Sequence, residues 1–348
     1  MTFRKVLNVL LWSVGALFAA GAVIAVILIF PGTPSSAKTL EFKGHILLPK
    51  GRLLTVLDYM NVSDKKLFVT NTSTGDVYKV ALHDGSVPGA ADVSVFSLEP
   101  AAHGVIIDPL SGLALVSRSK ANTVDIFDPT SMQLVKRIPV ADDPDGIFYE
   151  PFHKLVYVAS GDAKLGTVID PAARSIVATI PLGGKPEFAA FDSQTYLMYQ
   201  NLQDTNTLAA VDLEKMAVAR SWKLDRCLGP SGIDIDAPNR LLFIVCASND
   251  MLVVFDINKE RVVDGFPIGG GPDSVAFDAG LHRIYTTGRA GVMTVFQQDS
   301  PNAYHLIDSI KLHYGAHTLA VDSSTHSVYV GYASLVVRPR IAVFQPLP

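Results

Sequence analysis

Short apolar runs recur along the chain, and many of them end at an acidic residue. The clearest series ends at positions 108, 150, 192, 236, 278 and 322, so that successive members are 42 or 44 residues apart. A second apolar run follows each acid, as in KLVYVAS at 154–160 and RLLFIVCAS at 240–248. Continuous apolar runs rich in β-branched residues are typical of strands that are buried on both faces. The pattern therefore predicts a repeated all-β unit.

Each unit contains two further strands, such as GTVID at 166–170 and SIVATIPL at 175–182. Four short strands in a repeat of about 40–45 residues indicate a β-propeller blade. The units number seven, with six or eight as the alternatives, and the last has only three strands before the chain ends. Residues 40–49, LEFKGHILLP, are predicted to complete it. We therefore expect a seven-bladed β-propeller of four-stranded antiparallel blades, in which closure removes two open sheet edges.

The N-terminus has a different pattern. Arg4 and Lys5 precede an apolar run over residues 6–30, which as a helix would span about 37 Å and could cross a bilayer core of about 30 Å. Residues 1–30 are predicted to be a signal anchor forming one transmembrane helix, with a cleaved signal peptide as the alternative. Residues 31–39 are then a flexible stalk, and 40–348 the propeller. The two cations predict that the propeller lies on the non-cytoplasmic side of the membrane.

Composition and charge narrow the possible partners. Apolar residues make up 49% of the chain, enough for a large core, and the formal net charge is −4. Nucleic acid is an unlikely partner, because its recognition needs a basic surface. We expect a monomeric propeller that contacts the membrane through its N-terminal helix.

One repeat position, five residues before each strand-closing acid, is polar in every unit. In a propeller the first strand of each blade lines the central channel, so this position should form a ring at one depth. Blade 1 is irregular, and either Val56 or Asp58 could occupy the position; Asp58 fits the polar start of the unit better. In blade order the predicted ligand-binding ring is Asp58, His103, Asp145, Glu187, Ser231, Asp273 and His317.

The two histidines of the ring suggest a metal site. Because blade 7 adjoins blade 1, His317, Asp58 and His103 fall on consecutive blades, and two imidazoles with a carboxylate can bind a divalent transition metal. Asp145 and Asp273 could orient ligands or act as a base. Two alternatives stay open: polar residues at a solvent-filled mouth that bind no ligand, and metal-free catalysis with a histidine as general base.

Cys227 and Cys246 are the only cysteines of the chain. In an exported protein they can pair, and in an antiparallel blade both would lie on the ring side. A disulfide and two free buried thiols are both compatible with the sequence.

The repeats resemble those of the YVTN-repeat β-propeller family. The resemblance is carried by LFVTN at 67–71 and by KLVYVASGDAKLGTVIDPAARSIVATIPLGGKPE at 154–187, and it extends over about residues 40–345. It implies the seven-bladed fold but no single activity, since related propellers include periplasmic binding proteins, surface-layer proteins, lactonases and lyases.

Two functions are compatible with these observations. The first is a membrane-anchored, exported module that binds a protein or small-molecule ligand at the channel mouth. The second is a metal-dependent, lactonase-like hydrolase or a lyase with a His/Asp site at the same mouth.

Overall fold

The computed structural model describes residues 34–35, 37–49, 54–84, 86–98, 101–332, 334–335 and 339–347. Over these residues the chain forms seven four-stranded antiparallel sheets and one two-stranded sheet. The seven large sheets are the blades, which confirms the predicted all-β seven-bladed propeller. Three short 3-10 helices lie in loops, at Ala90–Asp92, Ser119–Ala121 and Gln203–Thr205.

The strands are named β1 to β30 in chain order. They are β1 Leu40–Leu47, β2 Leu54–Thr55, β3 Leu57–Ser63, β4 Lys66–Asn71, β5 Asp76–Ala81, β6 Val93–Ser97, β7 Ala102–Ile107, β8 Ala114–Arg118, β9 Thr123–Asp128, β10 Gln133–Pro139, β11 Pro144–Glu150, β12 Leu155–Ser160, β13 Leu165–Asp170, β14 Ser175–Pro181 and β15 Pro186–Asp192. They continue with β16 Leu197–Leu202, β17 Thr207–Asp212, β18 Ala217–Lys223, β19 Pro230–Asp236, β20 Leu241–Cys246, β21 Met251–Asp256, β22 Arg261–Pro267, β23 Pro272–Asp278, β24 Arg283–Gly288, β25 Val292–Ser300, β26 Ala303–Lys311, β27 Thr318–Asp322, β28 Ser327–Gly331, β29 Ser334–Leu335 and β30 Arg340–Pro346.

Blades 1 to 6 each contain four consecutive strands, starting at β3, β7, β11, β15, β19 and β23. Blade 7 has the order β27-β28-β30-β1, so the first strand of the chain is the outermost strand of the last blade. Leu40 pairs with Pro346 and Leu47 with Arg340. The inner strand β27 contacts β3 of blade 1, which closes the circle. Residues 40–47 thus provide the strand that blade 7 would otherwise lack.

The core lies between neighbouring blades. One cluster combines Tyr285 and Ile310 of blade 6 with Val328, Phe344 and Leu40 of blade 7. Second strands are the most deeply buried, and every residue of β20 is buried. Outer strands are mostly exposed, as in β10. This gradient explains why the second strand of each unit gives the strongest apolar signal in the sequence.

The predicted signal anchor, residues 1–30, lies outside the described residues. Among the residues that the structure does describe, no helix has the length and apolar character needed to cross a membrane. The described part of the predicted stalk lies along blade 6: Ser35 N donates to Lys311 O at 2.9 Å, and Thr39 N donates to the Asp308 carboxylate at 3.1 Å.

Candidate functional site

The ring residues of blades 1 to 6 lie on β-bulges. In each of these blades the register between the first and second strand shifts at the predicted ring position, for example between Leu57 and Met60 and between Pro144 and Ile147. A bulge adds a residue to one strand and redirects its side chain. Each bulge therefore changes the direction of the side chain at the ring position.

Buried polar side chains of the second strands hold these bulges. Thr70 Oγ1 accepts from Tyr59 N at 3.1 Å, Ser117 Oγ accepts from Gly104 N at 2.8 Å, and Asn201 Nδ2 donates to Ser231 O at 2.8 Å. These bonds satisfy backbone groups that the interrupted ladder leaves free. Gly232 is needed in one bulge, because a Cβ there would lie 2.6 Å from the Asp273 carbonyl oxygen of the next blade.

His103 is the centre of the first half of the ring. Its Nδ1 donates to Asp58 Oδ2 at 2.7 Å and lies 3.3 Å from Asp145 Oδ1, while its Nε2 donates to Ser119 Oγ at 2.9 Å. The three ring residues come from blades 1, 2 and 3, and about a fifth to a quarter of each side chain is exposed. An imidazole therefore bridges two carboxylates across three blades.

His103 is protonated at neutral pH. Burial opposes the charged form and is the largest effect on the pKa, but the contacts of the ring with the Asp145 and Asp58 carboxylates and the charges of these carboxylates together outweigh it. The pKa of His103 is raised to about 10. An imidazolium has no free lone pair, so His103 in this state is neither a general base nor a metal ligand.

The structure brings together a set of three residues that differs from the predicted metal set. In the part of the chain that the structure describes, the group of three His, Cys, Asp or Glu residues whose ligand atoms all lie within 4.8 Å is Asp58, His103 and Asp145. His317 does not belong to it. Its Nδ1 donates to Gly315 O at 2.9 Å and its Nε2 is 3.9 Å from Asp273 Oδ2. His317 precedes β27 and does not lie on a bulge. Its ring is held by the hydrogen bond to the Gly315 carbonyl.

The second half of the ring is acidic and partly neutralised. Arg289 Nη2 lies 3.3 Å from Asp273 Oδ2. Burial, together with the charges of Asp145 and Asp273, raises the pKa of Glu187 to about 8. Ser231 departs from the predicted ring: it is buried, and its hydroxyl donates to Pro272 O at 3.4 Å. Ser231 therefore stabilises the neighbouring bulge instead of lining the mouth.

An aromatic pair closes the channel below the ring. Tyr59 of blade 1 stacks on Phe188 of blade 4, with ring centroids 4.4 Å apart and an interplanar angle of 17°. Blades 1 and 4 are not neighbours, so this contact crosses the channel. The ring centroid of Phe148, in blade 3, lies 6.5 Å from that of Phe188. A cavity of about 310 Å³, lined by apolar residues such as Ile147 and Met198, lies along the inner strands beyond the pair. We call the ring carboxylates, as acidic walls, and this aromatic pair, as the floor, the cup.

The donor set of Asp58, His103 and Asp145 fits a divalent cation by residue type, since imidazole and carboxylate are common ligands of such ions. A metal would have to displace the proton that His103 shares with Asp58, and binding would become tighter as the pH rises. The residues therefore fit a metal only through competition with that proton.

Several residues of the cup were not expected from the sequence. Ser119 and Arg289 lie in loops outside the repeat position, and Tyr59 and Phe188 directly follow ring residues. The aromatic residue after the ring position in two units was the available signal. Its meaning depends on a contact across the axis, which comparison of equivalent repeat positions does not show.

The ring side also contains a disulfide. Cys227 and Cys246 are joined with an S–S distance of 1.98 Å, and both side chains are buried. Cys246 ends β20, where it pairs with Pro230 at the start of β19. The disulfide therefore ties the loop after β18 to blade 5, directly beside the Ser231 bulge.

Comparisons with known proteins support the fold. No family model matches the chain and no curated protein matches it, so the YVTN-repeat resemblance stays a resemblance. Hydrazine synthase from Kuenenia stuttgartiensis is similar with a TM-score of 0.70 and 15% identity, over 83% of this chain and 97% of that chain. Virginiamycin B lyase from Staphylococcus aureus is similar with a TM-score of 0.69 and 15% identity, over 90% of this chain and all of that chain.

A catalytically inactive histidine-to-alanine variant of that lyase, with quinupristin, is similar to the same extent: a TM-score of 0.69 and 15% identity, over 90% of this chain and 100% of that chain. At such identity the similarity concerns architecture alone. The chain is a seven-bladed β-propeller whose structural neighbours include a lyase.

Proposed function

We propose that this protein is a binding module that takes a ligand into the cup at its channel mouth. The observation that carries the proposal is the Tyr59–Phe188 stack across the channel. The pair would form the floor of a pocket at the channel mouth, and concave sites with few convergent polar groups are the usual form of ligand sites. The walls of this pocket supply such groups in Asp58, Asp145, Glu187 and Asp273.

Binding without catalysis is favoured by the state of the histidines. His103 holds its proton to a pKa of about 10, and a general base has to be unprotonated near the working pH. The side chain of His317 donates from Nδ1 to the Gly315 carbonyl and is 6% exposed. Because His103 is already protonated and His317 is buried, neither imidazole is placed to remove a proton from a ligand in the cup.

A thermal-shift screen of a chemically mixed small-molecule library tests the proposal on the full chain in mild detergent. Compounds that stabilise the wild type should lose their effect with Asp145→Asn. They should keep it with Asp299→Asn, a matched control at an exposed surface pair with His305. Compounds that stabilise both variants equally would place binding elsewhere and contradict the proposal.

The second candidate, a metal-dependent hydrolase or lyase, is favoured by the Asp58–His103–Asp145 group. These three residues would hold the ion, which would polarise a carbonyl or acidify a water. The virginiamycin B lyase neighbour adds quinupristin as a substrate to try. Stoichiometric Zn, Mn or Mg in the purified chain, lost with His103→Ala, together with breakdown of quinupristin would favour this function over simple binding.

We further propose that residues 1–30 anchor the chain and that the propeller lies on the non-cytoplasmic side. The apolar run after Arg4 and Lys5 supports this, and a disulfide is typical of oxidising compartments. In intact cells of the native host, a propeller on that side should be sensitive to added protease after permeabilisation of any outer barrier. Protection until the inner membrane is lysed would contradict the orientation.

A further inference from the structure

We propose that the cup recognises a primary ammonium group, so that its ligand is a small organic amine. This inference rests on the proposed binding function and adds the chemical class of the ligand. It predicts hydrogen bonds from the ammonium group to Asp145 Oδ1 and to Tyr59 Oη.

Asp145 supplies the first acceptor. Its Oδ1 is buried and has no hydrogen bond among the described residues. His103 Nδ1 is 3.3 Å away, but its hydrogen is donated to Asp58 at 2.7 Å. A buried carboxylate oxygen without a hydrogen-bond donor destabilises the site. A ligand that donates to this oxygen removes that penalty.

Tyr59 supplies an independent second acceptor. Its side chain is 8% exposed, and its hydroxyl has no hydrogen-bond partner in the described part of the chain. The hydroxyl lies beside the residue that follows Asp145, since a Cβ built on Gly146 would be 3.1 Å from Tyr59 Oη. Two unsatisfied oxygens, one from blade 1 and one from blade 3, therefore flank the same part of the cup.

The type of atom at these positions restricts the ligand. A carboxylate oxygen only accepts hydrogen bonds, so the ligand has to present N–H or O–H groups. Carboxylate and phosphate ligands are disfavoured, because they bring acceptors and negative charge to an acidic wall. An ammonium group carries three donors on one atom, enough for both oxygens.

The charge of the cup favours a cation over a neutral donor. Above pH 8, where Glu187 is ionised, the four carboxylates of Asp58, Asp145, Glu187 and Asp273 face three cations, which are His103, Arg289 and Lys185. Burial and the neighbouring carboxylates also raise the pKa of Glu187, which is the expected response of a site with excess negative charge.

The floor favours an organic cation over a metal ion. A metal has to displace the proton of His103, whereas an ammonium group can bind while His103 keeps it. The Tyr59–Phe188 pair and Phe148 offer aromatic surface to the alkyl part of an amine, and aromatic rings also attract organic cations. Acidic walls above an aromatic floor match both halves of an alkylammonium ion.

Binding of a cation should be coupled to proton release from Glu187. The groups that act on Glu187 are Asp145, Asp273 and Asp58, which favour its protonated form, and Lys185, which opposes it. A cation beside Glu187 favours the ionised form. Affinity for the amine should therefore increase by up to about tenfold per pH unit between pH 6 and 8, and level off above that.

The test is isothermal titration of the full chain in mild detergent with butylammonium, 1-butanol and tetramethylammonium. We expect butylammonium to bind at least tenfold more tightly than the other two. Asp145→Asn should weaken its binding at least tenfold and Tyr59→Phe severalfold, whereas Asp299→Asn should leave it unchanged. Glu187→Gln should remove the pH dependence and bind at all pH values with the low-pH affinity of the wild type.

Equal binding of butanol, or full affinity in both Asp145→Asn and Tyr59→Phe, overturns the ammonium proposal. So does binding of Mn²⁺ or Zn²⁺ without any binding of butylammonium. Circular dichroism of each variant separates loss of binding from loss of fold. If the library screen finds neutral or anionic ligands that need Asp145 while amines fail, the binding function stands and the ammonium inference falls. If no compound depends on Asp145, both fail.

Discussion

Replacing His103 with glutamine removes the one cation between two carboxylates and should destabilise the propeller. A pKa raised from 6.5 to about 10 corresponds to about 4–5 kcal/mol of preferential stabilisation of the charged form. About a fifth of each side chain is exposed, at 22% for His103 and 20% for Asp58, so screening by solvent reduces the effect. We expect His103→Gln to lower the free energy of unfolding by about 2–3 kcal/mol at pH 6.

The pH dependence distinguishes this cause from a simple packing defect. The folded-state pKa of His103 is raised, so its contribution is fully present below pH 6.5, the pKa of the unfolded chain. It declines by at most about 1.4 kcal/mol per pH unit above that value, and it is lost as the pH rises through the folded-state pKa. The stability difference between wild type and His103→Gln should decline in the same way.

Urea unfolding of both proteins in mild detergent, followed by circular dichroism at pH 6, 8 and 10, measures this difference. His305→Gln is the matched control, because His305 pairs with Asp299 at an exposed site and should change stability by no more than about 0.5 kcal/mol. A difference between wild type and His103→Gln that is constant from pH 6 to 10 would refute the assignment of a buried imidazolium.

Three further changes test other parts of the structure. Gly232→Ala should lower stability by about 1–3 kcal/mol, since its Cβ meets a backbone carbonyl of the next blade, and urea titration measures this. Cys227→Ser should lower stability by about 3 kcal/mol, because Cys227 and Cys246 are 19 residues apart, and reduction of the wild type by phosphine should reproduce the lower melting temperature. Leu40→Ala in the closing strand should cost about 2–5 kcal/mol, whereas Leu47→Ala, 44% exposed on the same strand, should be nearly neutral; equal effects would contradict the closure.

The architecture could be predicted because it follows directly from the sequence repeat. The acids that end each first strand recur at nearly constant spacing, and the buried second strands give long apolar runs. The absence of a fourth strand at the C-terminus also pointed to residues 40–49 as its source. These signals are either local or periodic, and both kinds can be recognised in a single sequence.

The site was predictable only in part. Blade order brings Asp58, His103 and Asp145 near one another, and the sequence analysis chose His317 as the third metal ligand in place of Asp145. Blade adjacency allows either choice, and the local backbone decides between them. Asp145 lies on a bulge that redirects its side chain, whereas His317 lies before its strand and donates to the Gly315 carbonyl.

The aromatic floor could not be predicted from the repeats. Tyr59 and Phe188 hold equivalent positions in blades 1 and 4, and alignment of repeats shows that equivalence. It does not show that two long side chains from non-adjacent blades meet on the axis. That contact depends on channel width and on the tilt of each inner strand, which are properties of the closed circle.

The closure of blade 7 has a consequence for how the protein is made. Leu347 N donates to Thr39 O at 2.9 Å, so nearly the first and nearly the last described residues are hydrogen-bonded neighbours. We expect a contact of such long range to form late in folding. During synthesis β1 emerges first and stays without its pairing partner until β30 has been made. Premature termination of translation would leave a product in which blade 7 cannot form and the propeller cannot close.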